Sequence, residues 1–241
     1  MLTIPKNSKI FILSDTHFQD WSNQDEIKSF ISFLETVRKK GNVLFLLGDI
    51  FDFYFEYKSF LPKSFFNIFC ELKKTAEKGI DIHYWMGNHD FWVGNFLGEV
   101  GIIKHFHPET IKIGAKKILV QHGDEMDMNF MIKTFLTNGI SRTLFSLLHP
   151  ELGLKIAKIV SKRSNAKTKE MKLNRENLRI FAENKFAGGI DDIVIGHFHH
   201  PFYYKKGKQT LSVIGDWKNN QSYGLIANGK ISVMRFTQSP R

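Results

Sequence analysis

Three early stretches of the chain share one hydrophobic pattern: "KIFILSD" (9–15), "NVLFLLGD" (42–49) and "IDIHYWMGN" (80–88) are apolar runs that each stop on a polar residue. Runs of this length and character predict buried strands. The segments between them change period. From Gln24 to Lys40 the apolar residues Ile27, Phe30, Ile31, Leu34 and Val37 fall at helical spacing, with Ser22 and Asp25 spaced as a capping box and Gly41 as the stop. Pro62 to Lys78 repeats the pattern through Phe65, Phe69, Leu72 and Ala76 and ends at Gly79. Strand, helix, strand, helix, strand implies right-handed crossovers and a largely parallel sheet, whose carboxyl-end rim is the usual place for a ligand.

After Gly101 the texture changes. "TIKIGAKKILVQHGD" (110–124) reads as a hairpin, and "DDIVIGHFHH", "TLSVIGDW" and "YGLIANGKISVMRF" supply further strands. Residues 128–187 have a helical pattern, interrupted near Gly139 and at "HPELG", where Pro150 forces a break. This segment reads as an insertion in a single domain spanning residues 1–241. A chain of 241 residues with 42% apolar and 14% aromatic side chains can fill such a core. The single cysteine, Cys70, excludes an internal disulfide framework, is expected to be a buried structural thiol, and points to a reducing compartment. The amino-terminal apolar run ends in a charge after a few residues and resembles a first strand more than a signal peptide. No stretch approaches the ~18 apolar residues of a membrane span.

Charge adds a second picture. Residues 128–190 carry twelve Lys and Arg against four Glu, so this stretch holds +8 of the formal +10. Such a concentrated field suits a polyanionic partner, whether nucleic acid, anionic lipid or a phosphorylated substrate, although a merely soluble basic face would look the same.

The polar strand ends form the candidate chemistry: Asp15 and His17 in "SDTH", Asp49 and Asp52 in "GDIFD", Asn88, His89 and Asp90 in "GNHD", His122 and Asp124 in "QHGD", and His197 and His199 in "GHFHH". In an extended chain, residues two apart face the same way, so each of the pairs Asp15/His17 and His197/His199 could converge on one ion. Imidazole nitrogens mixed with carboxylate and amide oxygens suit manganese, iron or zinc and disfavour calcium, with manganese taken first. Of these eleven, the seven taken as direct donors, Asp15, His17, Asp49, Asn88, His122, His197 and His199, are more than one ion would use while leaving room for a substrate, so two ions are expected. The remaining histidines, His83, His105, His107 and His149, read as ordinary surface or core residues, with His200 left open.

The ordered series D-x-H, G-D-x-x-D, G-N-H-D, H-G-D, G-H-x-H resembles the calcineurin-like metallophosphoesterases over essentially the whole chain. The resemblance implies a four-layer α/β/β/α sandwich, one metal held by Asp15, His17, Asp49 and His199, and a second by Asp49, Asn88, His122 and His197. Asp52, Asp90 and Asp124 would orient those ligands. His89 would face the phosphate, attacked in line by a metal-bridging hydroxide.

Within that superfamily, "GDIFDFYFEYK", "GNHDFW", "LFSLLHPELGLKIAKIVSKRSN" and "GDW" are similar to the UDP-2,3-diacylglucosamine hydrolases, pyrophosphatases of lipid A synthesis. That likeness implies a lipid-linked UDP-sugar substrate, a helical lid over residues 128–187, and cytoplasmic protein in peripheral contact with the inner membrane, with nucleic acid the less favoured partner. Substrate contacts would fall to Asn88, His89, His197, Ser161 and Asn165. A further lysine is expected where the chain has Thr168 between Lys167 and Lys169, and Lys169 is assigned that part. Another phosphodiester substrate, or a non-catalytic scaffold, would keep the same fold. Trp92, Tyr54, Phe55 and Tyr57 are aromatic candidates near the motifs, read as packing before base stacking.

Overall fold

The computed structural model describes residues 1–19, 22–126, 138–156 and 174–237. Two six-stranded sheets carry the architecture. The first has the order β12 (Lys230–Arg235), β11 (Ser222–Ala227), β2 (Ile10–Leu13), β3 (Val43–Leu47), β4 (Asp81–Trp85), β5 (Ile102–His105). The second runs β1 (Thr3–Ile4), β6 (Glu109–Ile113), β7 (Lys116–Gln121), β8 (Asp192–Ile195), β10 (Gln209–Val213), β9 (Phe202–Lys206). Strands β2 to β5 are parallel, with Ile10 opposite Val43 and Val43 opposite Asp81. Three carboxyl ends therefore finish at one rim, and they carry the three polar stops.

The inner strands of each sheet are apolar on both faces because each face has a partner. Ile10, Ile12, Phe45, Leu47 and Trp85 meet Ile111, Ile118, Val120 and Val194 between the sheets. On the outer face of the first sheet, Phe11, Leu44, Leu46 and Tyr84 meet α1 (Gln24–Lys40) through Phe30, Phe33 and Leu34, and α2 (Phe66–Glu77) through Ile68, Phe69 and Leu72. On the outer face of the second, Ile193, Leu211 and Val213 meet Leu178, Ala182 and Phe186 of the helix Arg175–Ala187. The expected four layers are present, since a strand buried on both faces must be apolar at every position.

Three local expectations are corrected. Asn23, not Ser22, caps α1: its Oδ1 accepts the Asp25 N–H at 3.1 Å, while Ser22 Oγ accepts from Gln19 N at 2.7 Å in the preceding turn. Asparagine is at least as good a cap as serine, and it stands one residue nearer the helix. Cys70 is exposed, because α2 buries the stripe Ile68, Phe69, Leu72 and Thr75 and leaves position 70 on the opposite side. The amino terminus gives two strands rather than one, with Thr3 and Ile4 pairing in parallel with Lys112 and Ile113 of the other sheet.

Pro150 does break the helical insertion, and it opens the next helical run, 150–156, where a missing N–H costs nothing. The helix Gly139–Ser146 is pinned to the body by Phe145, whose ring lies 4.7 Å from Phe55, 4.9 Å from Trp92 and 5.6 Å from Phe53. Tyr54, Phe55 and Trp92 are buried, as packing requires. Among the described residues no helix is long and apolar enough to cross a membrane.

His83 shows what a buried imidazole does here. Its Nδ1 lies 2.9 Å from His105 Nε2, its ring packs edge-on to Phe45, and burial followed by the neighbouring His105 lowers its pKa to about 4. The unfolded chain keeps the ordinary value of 6.5, so it binds the proton first as pH falls. Stability is therefore full above 6.5 and is lost between 6.5 and about 4. Full burial would make this about 3 kcal/mol; one strand from the sheet edge, with partial solvent screening, about 2 kcal/mol is expected. Urea unfolding at pH 7 and pH 5 should show the loss in the wild type and a smaller loss in His83→Phe; equal losses would remove His83 as the cause.

Candidate metal centre

The rim is built from strained backbone. Asp15, His17, Asp49, His197 and His199 all have positive φ, between 47° and 64°. Non-glycine residues hold this conformation at a cost of about 1 kcal/mol or more each, and only where the surroundings dictate it. Here the surroundings are cross-links between strand ends. The N–H of Asp15 donates to Gly48 O, that of His17 to Asp49 O, and that of Gly196 to His122 O. Gly48 sits at φ 75°, and a Cβ there would meet His122 Nδ1 at 2.5 Å; a Cβ on Gly87 would strike the Asp49 carboxylate. Gly48 thus lets the His122 ring come close, and Gly87 lets its loop close onto the Asp49 carboxylate.

Three overlapping groups of donors result: Asp15, His17 and His199; His17, Asp49 and His89; and Asp49, His122 and His197. Within each group the donor atoms lie within 4.8 Å of one another. His17 Nε2 is 3.2 Å from His199 Nε2, 3.8 Å from Asp15 Oδ1 and 3.9 Å from Asp49 Oδ2. At the other end, His122 Nε2 is 3.4 Å from Asp49 Oδ2, 3.3 Å from Asn88 Oδ1 and 3.2 Å from His197 Nδ1. Asp49 stands between the two ends. All seven sequence-selected donors meet at this rim.

One detail differs from the spacing argument. His197 and His199 do not turn toward the same point: His199 joins Asp15 and His17, while His197 joins Asp49 and His122. Both residues are left-handed rather than extended, so the rule that residues two apart share a face does not govern them; Asp15 and His17 are left-handed too and still share one group.

The donor set fits cations. Asp15 Oδ1 is wholly buried and accepts no hydrogen bond among the described residues, and close pairs of imidazole nitrogens present lone pairs to a common point. His122 Nδ1 lies 2.6 Å from Leu47 O, which fixes an N–H there and leaves Nε2 for the pocket. Burial disfavours a charged His122, but Asp49 above all, and then Asp15 and Asp124, raise its pKa well above the usual value. Asp49 is held well below the carboxylate range: burial opposes this, and the His122, His89 and His17 imidazoles override it. The same field favours positive charge of any kind.

The supporting acids are also placed. Asp90 accepts from Ile50 N at 2.8 Å, from Gly87 N at 2.9 Å and from the Tyr84 hydroxyl, tying the "GDIF" and "GNHD" loops together. Burial and then the Asp49 charge push its carboxyl up. Asp52 accepts from Gln19 Nε2 at 2.8 Å and lies 3.3 Å from His17 Nδ1. Asp124 is buried within reach of the His122 charge. His89 donates its backbone N–H to Asp49 Oδ1 at 2.9 Å, and its Nδ1 lies 2.8 Å from Asp52 O. His107, His149 and His200 are exposed. Ser161, Asn165 and Lys169 lie outside the described residues.

Sequence reasoning selected the donors but not their anchors: Ser14, whose hydroxyl reaches Asp15 Oδ2 and Leu47 O, Tyr84, and the Leu47 carbonyl under His122. The serine follows strand β2 directly and the tyrosine lies within β4, neither marked by its type, and a carbonyl has no letter in the sequence.

Two sheets sandwiched between helices, with Asp and His donors gathered at the strand ends, define a metal-dependent phosphoester hydrolase. The chain belongs to the calcineurin-like phosphoesterases, whose family model matches residues 8–212. A UDP-2,3-diacylglucosamine hydrolase of Porphyromonas gingivalis is 27% identical over 247 residues, covering 90% of this chain and 94% of that protein. One of Haemophilus influenzae is 25% identical over 220 residues, covering 87% and 91%. Among solved structures, one titled as a novel archaeal phosphodiesterase aligns with a TM-score of 0.50 at 13% identity, covering 94% of this chain and 98% of its own. That likeness concerns the fold alone.

Proposed function

We propose that the protein hydrolyses UDP-2,3-diacylglucosamine to UMP and 2,3-diacylglucosamine 1-phosphate, a step of lipid A synthesis, using two divalent ions, manganese first among them. The observation that carries this reading is the pair of donor clusters joined at Asp49, set beside a helix with an exposed apolar face, in a chain whose curated relatives bear that enzyme's name. Asp15, His17, Asp49 and His199 hold one ion; Asp49, Asn88, His122 and His197 hold the other. When bound, such a pair neutralises phosphate charge and activates water for in-line displacement at phosphorus.

The chain's own groups do the rest. Asp49 positions both ends of the pocket relative to one another. His89, with Nδ1 anchored on the Asp52 carbonyl, presents the other edge of its ring to the phosphate oxygens, where it orients the group under attack. Water adds to phosphorus, the pyrophosphate P–O bond breaks, and the departing oxygen leaves with the lipid phosphate.

Ile140, Leu144 and Leu147 are 62–78% exposed, and Leu152 and Ile156 are exposed as well. A soluble helix that only packed on the body would bury them. Acyl chains and the inner membrane surface would cover them, with the basic character of this stretch drawn to anionic lipid. Ser161, Asn165 and Lys169 are proposed to hold the sugar phosphate beneath the 128–187 lid.

Phosphorus NMR of purified protein with UDP-2,3-diacylglucosamine in detergent tests the reading. The two products should appear with manganese, stop on thorough chelation and return when manganese is restored. A rate that survives chelation would falsify it.

A further inference from the structure

A cavity of about 370 Å³ opens beside the Asn88 and His122 end of the metal pocket and shares those two residues with it. Its inner wall includes Trp85, His105 and Gln121, none more than 8% exposed. Trp85 Nε1 and Gln121 Nε2 are buried nitrogens that have no hydrogen-bond partner among the described residues. Native interiors rarely leave donors in that condition without a use. Phe106, 56% exposed, stands on the cavity's solvent side with Glu125.

The substrate reading given above, on which this inference rests, places a pyrophosphate at the metal pocket with a different chemistry at each end. One end is a nucleoside, with ring carbonyls, a ring N–H and hydroxyls. The other bears acyl chains. The helix Gly139–Ser146 separates the two: Arg142 lines the cavity, whereas the exposed Ile140 and Leu144 do not. A wall carrying the Gln121 amide nitrogen and the Trp85 indole N–H would leave both unpaired against hydrocarbon, which is costly. It can be satisfied by a base and a ribose.

We propose that this cavity receives the uridine half of the substrate. The Gln121 amide pairs with a carbonyl and the ring N–H of the base, Trp85 Nε1 donates to the second carbonyl, Phe106 covers the ring face, and Glu125 accepts from ribose hydroxyls. A pocket of a few hundred Å³ suits a group of that size, and it is too small for two long chains together with a sugar.

Product inhibition tests the assignment. Inhibition by UMP and by 2,3-diacylglucosamine 1-phosphate is measured separately on the manganese-loaded wild type, Gln121→Met and Phe106→Ala, with bis(p-nitrophenyl) phosphate as reporter substrate. The inhibition constant of UMP should rise about fivefold or more in each variant, while that of the lipid product stays within about twofold. A rise for the lipid product with UMP unchanged, a joint rise, or no change in either overturns the proposal. Phe106 is on the surface, so its truncation keeps the test readable if Gln121→Met does not fold. A wild type that binds UMP but neither binds the lipid product nor cleaves the lipid substrate would fail the substrate reading alone. A wild type that cleaves the lipid substrate, with variants that keep their affinity for UMP, would fail the cavity assignment alone.

Discussion

Changing Asp49 to asparagine is expected to lower hydrolysis about a thousandfold or more, equivalent to ~4 kcal/mol of transition-state stabilisation. The substitution is nearly isosteric. Its Oδ1 can still accept the His89 N–H, now at 2.9 Å, so the loop keeps its shape. What disappears is the charge whose Oδ2 lies 3.4 Å from His122 Nε2 and 3.9 Å from His17 Nε2, at the junction of the two donor groups. Metal content per chain by plasma mass spectrometry should fall with activity, and circular dichroism should not change. Wild-type turnover in this variant would mean that Asp49 does not join the two ends.

Asp90→Ala is expected to cost about 3 to 5 kcal/mol of stability and to reduce activity about 10- to 100-fold. The Asp90 carboxylate is fully buried and accepts from Ile50 N, Gly87 N and the Tyr84 hydroxyl. Alanine leaves those donors dry and unpaired. It also unties the loop that carries Asp49 from the loop that carries Asn88, so the two ends of the metal centre drift apart. Asp90→Asn keeps one acceptor, and because burial and Asp49 already work against the charge, its loss should be smaller. A shift of the urea midpoint at constant slope measures the effect. Midpoints equal to wild type in both variants would show that the tie carries no weight.

These two residues also show how far the site was legible in the chain. Asp49 announces itself, since a carboxylate after five apolar strand residues and a glycine has little reason to be there except to bind something. Asp90 can be noticed in "GNHD" but not understood from it: its partners lie 6 and 40 positions away, in Tyr84 and Ile50. Gln121 and Trp85 are stranger still. In sequence they close two apolar strands, and their unpartnered nitrogens and shared cavity exist only after the two sheets pack. The helix cap and the exposure of Cys70 escape a local pattern for a related reason. Whether Ser22 or Asn23 caps, and which side of α2 is covered, depends on neighbours that a local pattern does not contain.

The sequence by itself determined the apolar strands, the two amphipathic helices between them and the identity of every proposed donor, because periodicity and residue chemistry are local properties. Tertiary structure decided which donors share a point. His197 and His199 stand two residues apart yet serve opposite ends of the centre, since their left-handed backbone is imposed by contacts with distant strand ends, such as the His197 N–H to Asp15 Oδ2 at 2.9 Å. Long-range contacts of that kind, and the orientation they force, have no period along the chain.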